Sequence, residues 1–411
     1  MPLQPLGDLY KPLDDITTLS QQRLLIFDTH PIQYRSPVFR ALYQRLPNLE
    51  IFFFNERFDD KRWWFHEMGK IPKQVWELPL REGFPNTVLE TAKQGWIGIW
   101  AKLEKILRHR SPAAIAVYGY YLPEHWMLRQ LAAQKGIPLL FIGETFSLGN
   151  STWRRWLKLP LQKYFFRGVA QFIAIGEKTE MFYRSFGISP SRIIPAKYCT
   201  DVSFFHLPPP LSEQTRTGWR KALGIPREAF VILFVGRLFE RKRPWDVVQL
   251  HKRLKENTGL YTVIVGNGPL ENSLRAEAED SRVKFLGFQN QGATRDCYHG
   301  ADLLVVPSEY ETWGLVVNEA FACGLPALVT DTCGVAGDLV RDGETGFIYH
   351  VADLYGATEY VKRLLVEPAL RRKMGNRAKE MVATNYSVEQ FANAFMKALT
   401  TVTVTVTVTG K

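Results

Sequence analysis

The chain has 411 residues, 46% of them hydrophobic and 23% charged, enough for two buried cores and incompatible with disorder, a collagen-like fibre or a small disulfide-stapled scaffold. Its formal net charge is +11. Residues 1–210 carry 27 Lys/Arg against 18 Asp/Glu, and 211–411 carry 25 against 23. The basic half anticipates an anionic partner: nucleic acid, an acidic membrane surface or a phosphorylated substrate. The four cysteines, Cys199, Cys297, Cys323 and Cys333, have no CxxC spacing and read as free thiols in a reducing compartment. Residues 1–22 are a polar leader without an apolar h-region, and no stretch approaches the roughly 20 apolar residues of a membrane span. The expected localisation is cytoplasmic, soluble or peripheral on the inner face of a membrane.

Short apolar runs then alternate with amphipathic helical patterns. In chain order the expected strands are Leu24–Phe27, Ile51–Phe54, Ala114–Val117, Leu139–Ile142 and Phe172–Ile175, with helices such as Val38–Arg45, Ile97–Arg108 and Glu124–Lys135 between them. Continuous apolar runs are the signature of parallel strands buried on both faces. At 207–216 the periodicity stops at three consecutive prolines, Pro208, Pro209 and Pro210, which marks a linker. Alternation restarts with Phe230–Val235, Thr262–Val265, Val283–Leu286, Leu303–Val306, Ala327–Thr330 and Phe347–Tyr349. The expected fold is α/β: two doubly wound, Rossmann-like domains facing across a cleft. The boundaries are a leader at 1–22, an N-terminal domain at 23–206, a linker at 207–220, a C-terminal domain at 221–385, and a C-terminal helix with a Thr/Val tail at 386–411. Strict alternation in Thr400–Thr409 predicts an edge strand or an aggregation-prone tag.

Three segments carry chemistry. In the first, Val235-Gly236-Arg237 closes a strand and Lys242 precedes a helix opening at Pro244, so two cations stand near a helix N-terminus and suit a diphosphate. The neighbouring Arg241 and Arg243 read equally as a solvated charge run. In the second, Gly266-Asn267-Gly268 follows a strand and permits close approach of a ligand to the backbone, or is a simple turn. In the third, Glu311 lies in a loop and Glu319 on an otherwise apolar helix between Gly314 and Gly324. An unpaired buried carboxylate is costly, so both glutamates are candidates for binding sugar hydroxyls, while the amides from Trp313, Gly314, Leu315 and Val316 can bind phosphate or hydroxyl oxygens.

In this order, Gly236-Arg237…Lys242, Gly266-x-Gly268 and Glu311-x7-Glu319, followed by Ala322-Cys323-Gly324-Leu325-Pro326 and Asp342-Gly343-Glu344-Thr345-Gly346-Phe347, resemble the retaining glycosyltransferases of family 4, which have the GT-B fold. The resemblance covers about 220–385 and, more loosely, the N-terminal half. It implies that a nucleotide diphosphate sugar, UDP- or GDP-linked, is the donor substrate, with no cofactor and no metal. Arg237 and Lys242 would neutralise the departing diphosphate, Glu311 would orient the donor sugar, Glu319 would hold the ribose diol, and Phe288 would line the base pocket. Retention would follow from front-face attack, the departing phosphate helping to deprotonate the acceptor.

The N-terminal strand runs into Asp28-Thr29-His30-Pro31-Ile32-Gln33-Tyr34-Arg35. This resembles a subgroup beginning His-Pro-x-Gln-Tyr and would put His30 and Gln33 at the cleft floor; as an isolated residue His30 reads equally as structural. Where many relatives have a histidine after the strand that follows Gly-Ile-Pro, this chain has Glu144, a carboxylate for a donor-sugar hydroxyl or an acceptor proton, or one tied to a backbone amide. The segment 172–178 and Asp201 match the family's crossover region, Asp201 in a structural or hinge role. Residues 152–167 combine five cations and five aromatics without an acid. With Trp96 and Trp100 they fit an anionic membrane interface, or a core stripe with solvated cations, and no nucleic-acid module is recognisable. The expected reaction is hexose transfer to a hydroxyl of a glycan, a lipid-linked sugar or a small metabolite. A nucleotide-sugar epimerase of the same fold, a phosphorylase-like enzyme and a catalytically silent basic surface-binding protein are the competing readings.

Overall fold

A computed structural model of the chain describes residues 21–56, 79–144 and 152–409, with side chains except at 152–158 and 404–409. Most of the leader, residues 57–78 and residues 145–151 thus lie outside the described residues. Among the described residues, thirteen strands form two sheets. The N-terminal sheet holds β1 (Leu24–Asp28), β2 (Leu49–Phe53), β3 (Asn86–Val88), β4 (Ala114–Tyr118), β5 (Leu139–Gly143), β6 (Gln171–Ala174) and β7 (Ile193–Pro195), in the order β3-β2-β1-β4-β5-β6-β7. The C-terminal sheet holds β8 (Phe230–Val235), β9 (Leu260–Val265), β10 (Val283–Gly287), β11 (Leu303–Val306), β12 (Ala327–Thr330) and β13 (Gly346–Tyr349), in the order β10-β9-β8-β11-β12-β13. All paired strands are parallel. In both sheets the strand order reverses beside the first strand, and ligands bind outside the carboxyl ends at such a switch point. The apolar runs are strands because helices cover both faces: β1, β4 and β5 are buried at every position. Only β3 and β7, three residues each, lie outside the expected elements; they are too short to show a period.

Two boundaries differ from the sequence reading. Residues Leu211–Ala222, within the expected linker, are a helix packed on the C-terminal domain. Its Arg220, 2% exposed, donates to the carbonyls of Gly300 (2.9 Å), Arg227 (2.7 Å) and Ala229 (2.7 Å) and to Asp302 (2.6 Å). Those bonds repay the desolvation of the guanidinium and fasten the helix. The second is the Thr/Val tail, which is the end of a 22-residue helix, Val388–Thr409, and no edge strand. Phe391, Phe395, Ala398, Leu399 and Val402 recur at helical spacing and are buried, against β6, β7 and the helix Ser36–Arg45. The hydroxyls of Thr400, Thr401 and Thr403 bond back to carbonyls four residues earlier. Docking of this stripe overrides the strand propensity of Val and Thr, and it ties the end of the chain to the N-terminal domain.

Other contacts set the two sheets face to face. The Asp338 carboxylate accepts from Lys197, from the Glu177 amide (2.9 Å) and from Tyr386 (2.6 Å). Lys178 donates to the carbonyls of Asp331 (2.7 Å) and Cys333 (2.5 Å). Gly176 is packed so closely on the Trp313 ring that a Cβ there would lie 2.2 Å from it. Asp201 caps the helix Val202–Phe205 by accepting from the Phe204 amide (3.2 Å). No helix among the described residues is long and apolar enough to cross a membrane.

Candidate active site

A cleft of about 240 Å³ lies at the carboxyl ends of the C-terminal strands, and Gln33 and Tyr34 of the N-terminal domain complete its wall. Its lining includes Gly236, Arg237, Lys242, Gly266, Phe288, Glu311, Gly314, Leu315, Val316 and Glu319. These residues come from four separate loops and one helix, and the fold brings them together because β8, β9, β10 and β11 are neighbours that end on one side. His30, Glu144, Gly268 and Trp313 are not in the lining.

The loops pack through their backbones. The Gly236 amide donates to Val265 (3.0 Å), Leu238 to Asn267 (3.0 Å) and Gly266 to Gly287 (2.7 Å). A Cβ on Gly266, whose φ is +129°, would lie 1.8 Å from the Gly236 carbonyl oxygen, and one on Gly268 would lie 2.5 Å from that of Leu238. Both glycines are therefore required by loop-on-loop packing, which is the physical reason for the Gly-x-Gly pattern here. Arg243 forms a two-pronged pair with Asp246 (2.8 and 2.9 Å) at the start of helix Pro244–Arg253, so this cation is structural. The helix terminus in the lining is the expected one of Leu315–Ala322, with Gly314 at φ +108° before it; the helix that starts at Pro244, two residues after Lys242, does not itself line the cleft. Trp313 instead packs between the domains, its indole N–H donating to Asn318 (2.8 Å).

The cleft holds paired and buried charge. Lys242 and Glu311 form an ion pair, with side chains 20% and 15% exposed. Burial, with Arg241 and Arg237 nearby, draws the Lys242 ammonium down to about 8. Glu319 is 8% exposed and accepts from the Tyr298 hydroxyl at 2.7 Å; burial pushes its carboxyl up to about 7 against that hydrogen bond. The side-chain carbonyl oxygens of Gln33 and Gln291, both lining residues, are buried with no partner among the described residues. Such groups demand a donor.

In the N-terminal domain, sequence reasoning missed Arg35. Its guanidinium bonds Asp28 at the tip of β1 and Glu144 (2.6 Å) just beyond β5, and lies 4.3 Å from the ring centroid of Tyr118 at the tip of β4. The Tyr198 hydroxyl also donates to Glu144, at 2.5 Å. Glu144 is thus held by two side chains, and no bond to a backbone amide occurs among the described residues. The available signal for Arg35 was an arginine seven residues after an aspartate that ends an apolar strand. His30 bonds Thr29 at 2.8 Å, and burial, with Arg35 nearby, lowers its imidazole to about 4, which leaves it neutral at physiological pH.

This architecture is the GT-B fold, two Rossmann-like domains with a cleft between them. Superposition on Anabaena HepE in complex with UDP gives a TM-score of 0.73 at 14% identity, over 92% of this chain and 100% of that one. Sucrose-phosphate synthase from Thermosynechococcus elongatus gives 0.71 at 17% identity, over 93% and 100%. Residues 215–381 match the family model described as glycosyl transferases group 1. The chain is 31% identical over 184 residues, 44% of its length and 47% of the relative's, to N-acetyl-alpha-D-glucosaminyl L-malate synthase of Bacillus anthracis. It is 29% identical over 215 residues, 48% of its length and 49% of the relative's, to D-inositol 3-phosphate glycosyltransferase of Thermomonospora curvata. The chain spans about half the length of these curated relatives.

Proposed function

We propose that this protein is a glycosyltransferase that moves a hexose from a UDP- or GDP-linked sugar to a hydroxyl acceptor, with retention of configuration and without a metal. The observation that carries the reading is the convergence of Arg237, Lys242, Glu311, Glu319 and the Leu315 helix terminus on one cleft. Arg237, Lys242 and the terminal amides stabilise the diphosphate as it departs, a task given elsewhere to a divalent ion. Glu311, ion-paired to Lys242, orients the hexose beside the leaving group. Glu319 accepts from the ribose diol, and Phe288 with Gln291 borders the base. The departing phosphate takes the acceptor proton during front-face attack. Anabaena HepE, which shares the fold, has been seen with UDP-glucose, which supports a UDP-sugar as the first donor to try.

Thermal-shift screening against UDP-, GDP- and ADP-sugars tests the donor, because a ligand at 100 times its Kd stabilises by about 2.7 kcal/mol. Lys242→Ala or Glu311→Ala abolishes transfer while the protein stays folded; full activity in both overturns the reading.

The acceptor is a glycan, a lipid-linked sugar or a small metabolite, met by the basic N-terminal domain. One observation favours a membrane-borne acceptor. Trp96 and Ile97, 58% and 88% exposed, open the helix Trp96–Arg110, and Leu161 and Tyr164 are more than half exposed on the same side of the sheet. Exposed aromatics among lysines and arginines suit an anionic headgroup layer on the cytoplasmic face. Sedimentation with phosphatidylglycerol vesicles, but not phosphatidylcholine vesicles, that is lost in Trp96→Ala/Ile97→Ala supports this surface; equal pelleting of the variant removes it.

A further inference from the structure

The Glu144 carboxylate sits where three strand tips converge. Arg35, whose side chain is 9% exposed, reaches it from Asp28, which is fully buried. Burial works against the Arg35 charge, but Asp28, Tyr198 and Glu144 hold the guanidinium well above its ordinary value. Asp28 itself is raised by burial against the pull of Arg35. Both donors to Glu144, Arg35 Nη2 and Tyr198 Oη, converge on Oε1. Oε2 has no hydrogen bond among the described residues, and the side chain is 30% exposed. Tyr198 also reaches the other domain: its carbonyl accepts from Asn318 Nδ2 at 2.8 Å, and Asn318 precedes Glu319 on the helix that lines the cleft. Its ring meets Tyr34, a lining residue, edge-on at 5.5 Å. Among the described residues, the titratable groups that face Glu144 are the Arg35 cation, the buried acid Asp28 and the hydroxyls of Tyr34, Tyr118, Tyr121, Tyr183 and Tyr198, with His30 neutral.

We propose that Arg35, assisted by Tyr198, is a positioning residue that holds the Glu144 carboxylate by Oε1 and leaves Oε2 open to accept a hydrogen bond from a substrate hydroxyl. This rests on the glycosyltransferase reading and on Glu144 touching substrate. The two-pronged anchor fixes the carboxylate in one rotamer. Through Tyr198 and Asn318 the same anchor sets Glu144 relative to the donor helix.

The test uses the full chain and hydrolysis of UDP-glucose, water taking the glucosyl group in place of the acceptor, with kcat/KM read from the UDP released. Glu144→Gln loses at least about 100-fold. Arg35→Met loses about 10- to 100-fold, and Arg35→Lys restores part of the rate. Tyr198→Phe, which keeps the ring packing, loses less than Arg35→Met and stands in if Arg35→Met does not fold. Arg35→Met added to Glu144→Gln costs less than a further twofold, whereas a purely structural arginine would multiply the loss. No UDP release by the wild type overturns the UDP-sugar donor and this inference with it, and full activity in Glu144→Gln shows that Glu144 does not serve the substrate and overturns the inference while leaving the glycosyltransferase reading intact. A Glu144→Gln that has lost its activity beside full activity in both Arg35→Met and Tyr198→Phe, or in Tyr198→Phe alone if Arg35→Met is unfolded, overturns the inference alone.

Discussion

Glu319→Gln separates what the cleft demands from what the fold prefers. Burial carries the Glu319 carboxyl from 4.5 to about 7, and each pH unit is worth about 1.4 kcal/mol. Ionised Glu319 therefore costs the folded protein about 3 kcal/mol. The sign follows from proton binding: between pH 4.5 and pH 7 the folded state holds the proton that the unfolded state has released, so this contribution falls as pH rises through that window. Glutamine is neutral throughout and can still accept from Tyr298, 2.7 Å away in the wild type. The variant should match the wild type near pH 4.5 and exceed it by about 3 kcal/mol at pH 8 in urea denaturation of the C-terminal domain. Function should move the other way. Losing a charge-assisted hydrogen bond to the ribose, worth about 1.5–3 kcal/mol, weakens UDP about 10- to 100-fold at pH 8 by calorimetry. Wild-type UDP binding near pH 6 should release a proton, seen as a buffer-dependent enthalpy, because the diol favours the ionised form. Equal stability of the two proteins at pH 8 would refute the desolvation argument, and unchanged UDP affinity would refute the ribose assignment.

Lys242, drawn down to about 8, loses its charge as pH rises, so UDP affinity should fall above pH 8; Lys242→Arg should retain affinity to pH 10, as a calorimetric pH series will read. Gly266→Ala places a Cβ 1.8 Å from the Gly236 carbonyl oxygen and should destabilise the C-terminal domain by more than about 4 kcal/mol, measured by its urea midpoint. EDTA should leave UDP affinity and UDP-glucose turnover unchanged; loss restored by Mg²⁺ would show that the cations do not suffice.

The alternating apolar runs determined the two-sheet fold, because strands buried on both faces need continuous hydrophobic sequence and leave a pattern that local reading detects. The order of Gly236-Arg237, Lys242, Gly266-x-Gly268 and Glu311-x7-Glu319 likewise pointed to one cleft, since each segment begins just beyond a strand end and parallel strands deliver their ends to one side. Local pattern failed where a distant surface decided. Thr400–Thr409 alternates like a strand yet is helical, because the stripe from Phe391 to Val402 docks on the N-terminal domain. Leu211–Ala222 follows three prolines like a linker yet is fastened by Arg220 to Asp302, 82 residues away. The Gly-x-Gly pattern was visible, but that its glycines admit neighbouring loops emerges only when β8 and β9 stand side by side. Arg35 is the strongest case. Its spacing from Asp28 was readable, but its bond to Glu144 spans 109 residues, and only the β1-β4-β5 strand order brings the two together.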